Sequence, residues 1–380
     1  MHLQVFEELW QVVNDEYLYP DFNGVDWDDV YVNYKERIES GLSDDEFYRS
    51  MGEMVFLLGD DHSIFFTPNE AAEEDAGYAG DYDYVGIGVM TVAVPERQRI
   101  TIISIFPNSP AEEAGLKVRD GILAADGQPI IDEGGVRHDL LRGPEGSTVT
   151  LTVKYPDEEP RDVRLTRRRI TGGLDVPHQV LTTPQGKRIG YIFLVTFNDS
   201  TVDDQVGKAL KEMSAAAPLD GLIIDNRTNN GGASNVLRGT LSYFTDGKLG
   251  YFVNRQQEEP FTVSGVDVRD SQHMPMVVIT GSETASFGEI FAGILQDVGR
   301  AYLVGEPTAG NVEILYVYEF SDGSRAWIAH DTFRPLNQPQ QDWERIGVLP
   351  DLTILSNWDE ATTENDPAIN AALEYIDSHW

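Results

Sequence analysis

From about residue 171 onward, short β-branched and aliphatic runs alternate with amphipathic helical stretches, and that order leaves few folds open. Ile189-Gly-Tyr-Ile-Phe-Leu-Val195 leads to a helical pattern at about 202–216, and Gly221-Leu-Ile-Ile224 to one at about 234–245. Met276-Val-Val-Ile279 leads to a third at about 287–298, before Ala301-Tyr-Leu-Val304. Runs this apolar suit strands buried on both faces, and strand–helix–strand units set such strands side by side in parallel. The pattern predicts an α/β core over 171–380 with a largely parallel sheet.

Residues 1–75 predict a helical N-terminal domain. Val5, Phe6, Leu9, Trp10, Val13 and Tyr17 fall at helical spacing. Ser43 and Glu46 form a capping-box pattern ahead of Phe47, Met51, Met54, Val55 and Leu58. Gly59 ends that helix, and a turn, Asp60-Asp61-His62-Ser63, follows. The small and acidic residues of 69–83 predict a linker.

Between Tyr84 and about Ile170 the pattern changes to strands bounded by turns, as in Ile100-Thr-Ile-Ile-Ser-Ile105 and Thr148-Val-Thr-Leu-Thr-Val153. Together with Asn108-Ser-Pro-Ala-Glu-Glu-Ala-Gly-Leu116, Asp120-Gly-Ile-Leu-Ala-Ala-Asp-Gly127 and Arg142-Gly-Pro-Glu-Gly146, this segment resembles a PDZ domain over 84–170. The resemblance implies that the loop Val85, Gly86, Ile87, Gly88 binds a terminal carboxylate. A glycine-rich loop beside a strand exposes several N–H donors to an anion, and a peptide then adds as a further strand. A plain glycine-rich turn is the alternative. The fold class expected is thus α/β and α+β multidomain.

Composition narrows the function. Sixty-four acidic residues face 28 basic ones in the 380-residue chain, a formal charge of −36. Such a field repels nucleic acid and anionic membrane surfaces. There is no cysteine, so disulfides, thiol catalysis and iron–sulfur clusters are excluded. No apolar run approaches the ~18 residues that span a bilayer. The first 20 residues carry no basic region followed by an apolar run and are no signal peptide. Either a leader has been removed and the protein is exported, periplasmic or extracellular, which is the expectation, or it is cytoplasmic.

Two loops that follow apolar strands carry the chemistry. In Asp225-Asn-Arg-Thr-Asn-Asn-Gly231-Gly232, paired glycines let backbone N–H groups converge as an oxyanion hole requires, although a strand-to-helix turn accounts for the same residues. In Thr280-Gly-Ser-Glu-Thr-Ala-Ser286-Phe-Gly-Glu289, Ser286 and Glu289 fit a capping box. A serine at a helix start also serves as a nucleophile, because N-terminal N–H groups stabilise a developing oxyanion.

The two loops together resemble the carboxy-terminal processing and tricorn-type serine peptidases, with their crotonase/ClpP-like core. Thr284-Ala-Ser-Phe-Gly-Glu-Ile-Phe-Ala-Gly293, Gln296-Asp-Val-Gly-Arg-Ala301, Val304-Gly-Glu-Pro-Thr-Ala-Gly310 and Gly347-Val-Leu-Pro-Asp351 belong to the same pattern. The resemblance implies Ser286 as nucleophile, with Gly231 or Gly232 and the N–H of Phe287 as oxyanion donors. It implies polypeptide substrates bound by their C-terminal segments, and no metal or cofactor. Asp297 matches an acid common to the family and is expected on the helix's polar face or paired with Arg300.

One departure is consequential. The serine–lysine branch places lysine where this chain has Asn311, and an amide cannot deprotonate a serine near neutral pH. The tricorn-like branch draws a histidine from after a Leu-Gly-Asp-x-His stretch and a glutamate from just before Gly-Val-x-Pro-Asp. Here these are His62, in Leu58-Gly-Asp-Asp-His62, and Glu344, ahead of Gly347. Taken singly, His62 is equally a turn residue and Glu344 a surface acid. Together with Ser286 they complete a nucleophile, base and orienting acid. Tricorn has a serine before the histidine where Asp61 stands here. The rival readings are a non-catalytic peptide- or ligand-binding protein on the same scaffold and, more weakly, a PDZ adaptor.

Overall fold

The computed structural model describes residues 1–60, 62–78, 84–171, 175–356, 360–362 and 364–380. At its centre is a six-stranded sheet, ordered His178–Thr182, Arg188–Phe193, Gly221–Asp225, Met276–Thr280, Tyr302–Gly305 and Leu352–Thr353. The first pair is antiparallel and every later pair parallel. Helices Val202–Met213, Ser234–Ser242 and Phe287–Asp297 bury their apolar faces against one side of this sheet, and Pro367–His379 against the other. The expected alternation is therefore present, with the site-bearing loops at the carboxyl ends of Gly221–Asp225 and Met276–Thr280, where parallel sheets open a crevice.

A second sheet has no counterpart in the sequence reading. Gly247–Val253, Glu258–Val263, Ile314–Glu319 and the long strand Arg325–Pro335 form it, and Ile64–Phe66 joins from the N-terminal segment. The register Ile64↔Trp327 to Phe66↔Arg325 fixes the N-terminal segment to the core. Helices His2–Glu16, Trp27–Glu39 and Asp44–Phe56 pack with Phe65, Phe320, Ala326 and Ile328 into one apolar cluster. The Ser43–Glu46 capping box is present in both directions.

The linker expected at 69–83 is corrected over its first part: Pro68–Tyr78 is a helix. Thr67 and Glu70 bond reciprocally at its start, and Glu74 accepts from Arg325 and Trp327 of the long strand. Those tertiary partners hold residues whose small, acidic composition suggested a linker. Residues 79–83 lie outside the described ones.

The PDZ domain is a sheet ordered Arg161–Thr166, Thr148–Lys154, Gly121–Ala125, Arg99–Ile105 and Val89–Val94, closed over its own apolar cluster. It meets the core through charge as well as apolar packing. Arg119 of this domain bonds Asp366 at 2.5 Å, and Asp366 bonds Arg227 at 2.9 Å. Arg227 in turn holds Asp225 at 2.6 Å, and all four residues are buried. Buried charges are tolerated only when paired in this way.

Candidate active site

Ser286 stands at the N-terminus of Phe287–Asp297 with φ 52° and ψ −129°, a conformation non-glycine residues rarely adopt. Its N–H donates to the Asn311 carbonyl at 2.5 Å. The expected capping box with Glu289 does not form, because the serine hydroxyl makes no cap bond. Glu289 is instead wholly buried and accepts from the Thr308 hydroxyl and from the N–H groups of Gly310 (2.8 Å) and Asn311 (2.7 Å). Burial raises the Glu289 carboxyl above its ordinary range, and those three donors act against the rise. The acid thus fixes the 308–311 turn, whose last carbonyl holds the serine. Its place in the otherwise apolar run Phe287-Gly-Glu-Ile-Phe-Ala-Gly293 was the available signal for a buried, partnered role.

The glycine loop is laced to the serine loop by buried amides. Asn226 Nδ2 donates to the Gly288 carbonyl at 2.8 Å, and Ala285 N–H to the Asn229 carbonyl at 3.0 Å. A Cβ on Gly231 would stand 2.7 Å from Ser286 Cβ and 3.0 Å from the Phe287 nitrogen, so glycine alone leaves space beside the hydroxyl. The Gly231 N–H donates to Asn229 Oδ1 at 3.1 Å and is committed there. The N–H groups of Gly232 and Phe287 have no acceptor among the described residues. Of the two glycines, Gly232 is the one with a free donor.

His62 and Glu344 arrive from opposite ends of the chain and meet. Asp60 Oδ1 accepts from the N–H groups of His62 (3.0 Å) and Ser63 (2.8 Å), and Ser63 Oγ accepts from Ala329 N–H. This turn pins the histidine to the second sheet. Trp343 lies directly on Gly293, where a Cβ would meet its ring at 2.6 Å, and stacks on Phe333. That packing sets the short helix Trp343–Ile346 and with it Glu344. His62 Nε2 bonds Glu344 Oε1 at 2.8 Å, while Glu344 Oε2 accepts from Val312 and Glu313 N–H. Burial pushes His62 down, but the Glu344 hydrogen bond and charge, with Glu313 and Asp60 behind them, leave it raised above an ordinary histidine. Asp61 lies outside the described residues.

Ser286, His62, Phe287, Gly232 and Asn311 line one cleft of about 360 Å³. The serine hydroxyl and His62 share it without a hydrogen bond between them, and Nε2 is turned to Glu344. Catalytic hydrogen bonds in ligand-free structures are often long and tighten only with substrate bound. Glu313, which the sequence did not single out, is buried beside the pair; it accepts from Tyr19 Oη at 2.5 Å, and burial first, then Glu344, pushes its carboxyl up to about 7. Asp297 accepts from Asn337 and Gln338 N–H, whereas Arg300 donates to the Phe244 and Ser271 carbonyls, so of the two placements expected for Asp297 the pair with Arg300 does not form.

In the PDZ domain, Val85 and Gly86 lie on a short strand paired with Arg168–Ile170. The Ile87 and Gly88 carbonyls accept from Ala111 and Phe106, while their N–H groups have no acceptor among the described residues. Strand Val89–Val94, which follows, is at the edge of its sheet.

Free backbone donors beside a serine at a helix start suit acyl transfer to that serine, which places this fold among the serine-type peptidases. Residues 188–354 match the model for Peptidase family S41, residues 2–56 the Tricorn protease C1 domain and residues 85–166 the PDZ domain. The carboxyl-terminal-processing protease of Picosynechococcus sp. is 32% identical over 380 residues, covering 97% of this chain and 88% of the relative. Its Synechocystis sp. namesake is 32% identical over 382 residues, covering 97% and 85%. The solved photosystem II D1 C-terminal processing protease superposes with a TM-score of 0.66 at 26% identity, with 93% of each chain covered. The chain belongs to peptidase family S41 and is a serine peptidase acting on polypeptides. No helix among its described residues is long and apolar enough to cross a membrane.

Proposed function

We propose that this peptidase cleaves unfolded or C-terminal peptide segments with Ser286 as nucleophile, His62 as base and Glu344 as the acid that orients it. The observation that carries this reading is the 2.8 Å His62–Glu344 bond in the cleft that Ser286 lines, with no lysine at Asn311. With Nε2–H donated to Glu344, Nδ1 is the basic nitrogen. Ser286 Oγ bonds to the scissile carbonyl carbon as its proton passes to His62. The C–N bond then breaks as the leaving amine takes that proton, and water releases the acyl group by the same route. The Gly232 and Phe287 N–H groups hold the oxyanion.

Substrates would reach this site through the PDZ domain. The free N–H groups at Ile87 and Gly88 suit a terminal carboxylate, and the edge strand Val89–Val94 suits an added peptide strand. The same reading divides the chain into units at 1–75, 84–170 and 171–380, and puts it outside the cytoplasm, where a strongly acidic surface stays hydrated. Fluorophosphonate labelling tests the nucleophile. One label per chain, lost in Ser286→Ala along with peptidase activity while the fold is kept, is the expected result. A chain that takes no label under any condition is a binding protein instead.

A further inference from the structure

Behind His62 lies a second cavity, of about 500 Å³, lined on its acidic side by Asp60, Glu313 and Glu344 and on its polar side by Tyr19 and Asn23. A nitrogen of His62 and one carboxylate oxygen each of Glu313 and Glu344 lie within 4.8 Å of one another. Glu313 is only 3% exposed, and its Oε2 has no hydrogen-bond partner. An unpartnered carboxylate oxygen in a buried setting is costly unless something binds it. We infer that His62, Glu313 and Glu344 form a binding site for a divalent transition-metal ion of the zinc class, reached through this cavity.

Each ligand group is already held from behind, as metal ligands are. Tyr19 Oη fixes Glu313 Oε1, leaving Oε2 free. The Val312 and Glu313 N–H groups fix Glu344, and the Asp60 turn fixes the backbone of His62. One imidazole with two carboxylates favours zinc over calcium or magnesium, which take oxygen ligands almost alone. The ligands come from residues 62, 313 and 344, so no local spacing in the sequence marks the site. Occupancy would put the metal on Nε2, the nitrogen that now bonds Glu344, leave the ring's one proton on Nδ1 and so stop proton transfer. That consequence rests on the catalytic reading above; the binding does not.

The test is calorimetric titration of metal-free Ser286→Ala protein with Zn²⁺, a readout independent of turnover. The expected result is one site per chain, lost in His62→Ala and weakened at least ten-fold in Glu313→Gln. Glutamine keeps the size of Glu313 and the bond from Tyr19, and an unchanged far-UV spectrum confirms that the variant is folded. No saturable binding up to millimolar Zn²⁺ overturns the inference. So does binding that survives both substitutions but is lost in His273→Ala, which would place the ion on the exposed cluster of Asp267, Asp270 and His273. In active protein Zn²⁺ should inhibit, reversibly with EDTA. Binding at His62 in a chain that hydrolyses nothing would leave this inference standing and remove the catalytic one.

Discussion

Glu313 and His62 lie side by side and both are raised, the one bearing on stability and the other on activity. Glu313 is pushed up to about 7 by burial and then by Glu344, so the folded chain keeps a proton that the unfolded chain gives up near pH ~4.3. A raised carboxyl contributes stability that is present at low pH and is lost as pH climbs toward 7. Glu313→Gln, which never ionises, should therefore gain on wild type between pH 5 and 8, by on the order of 1–3 kcal/mol. Thermal unfolding at the two pH values measures it, and an equal difference at both contradicts the account. For His62 the raised pKa means that the neutral, basic form appears only as pH rises past the ordinary histidine value. Glu344→Gln removes the charge that raises it, so the activity profile should move to lower pH while turnover falls. An unshifted profile would detach Glu344 from His62. Asn311→Ala should change little, because Asn311 acts through its backbone, as acceptor from Ser286 and donor to Glu289.

At the scale of elements, the two glycines after Gly221–Asp225 differ in what a methyl group would strike. On Gly231 it meets Ser286 Cβ and the Phe287 nitrogen; on Gly232 it meets the Phe197 backbone at 2.1 Å. Gly231→Ala should thus keep the fold, with some backbone strain at φ +95°, and lose about 10²–10³ in kcat by crowding the oxyanion position. Gly232→Ala should yield little folded protein. Soluble yield and kcat of the two variants check this, and a fully active Gly231→Ala refutes the oxyanion assignment. The strands and helices of the central sheet were legible because their apolar runs are continuous. The second sheet was not, since Arg325–Pro335 carries Arg325, His330, Asp331 and Arg334 among its apolar residues, and its partners lie far away in sequence. Helix Pro68–Tyr78 was hidden for the same reason, its anchors being Arg325 and Trp327. Ser286 stood out as a candidate by its place at a helix start, whereas His62 and Glu344 were candidates only through family resemblance. Their contacts depend on Trp343 meeting Gly293 and on the turn at Asp60, which no local pattern encodes.

Over the whole molecule, the site is assembled from parts that cannot make it alone. His62 belongs to the N-terminal segment, Ser286 and Glu344 to the core, and the Arg119–Asp366–Arg227–Asp225 chain ties the PDZ domain to the strand that ends in the glycine loop. On Gly88, at φ +80°, a Cβ would stand 2.3 Å from Ser109 Cβ. Gly88→Val should therefore disturb the carboxylate loop and slow cleavage of proteins with apolar C-termini more than of short blocked peptides. Equal loss on both substrates would make the domain a structural support only. The claim on which the rest depends is that a histidine from one end of the chain activates a serine in the core where lysine is missing. The pH dependence of fluorophosphonate labelling at Ser286 tests it most directly, in wild type, His62→Ala and Asn311→Ala side by side. A single rise in labelling rate near neutrality is expected for wild type and Asn311→Ala, with a loss of several orders of magnitude in His62→Ala. Near-normal labelling in His62→Ala, or a loss as deep in Asn311→Ala, would contradict it.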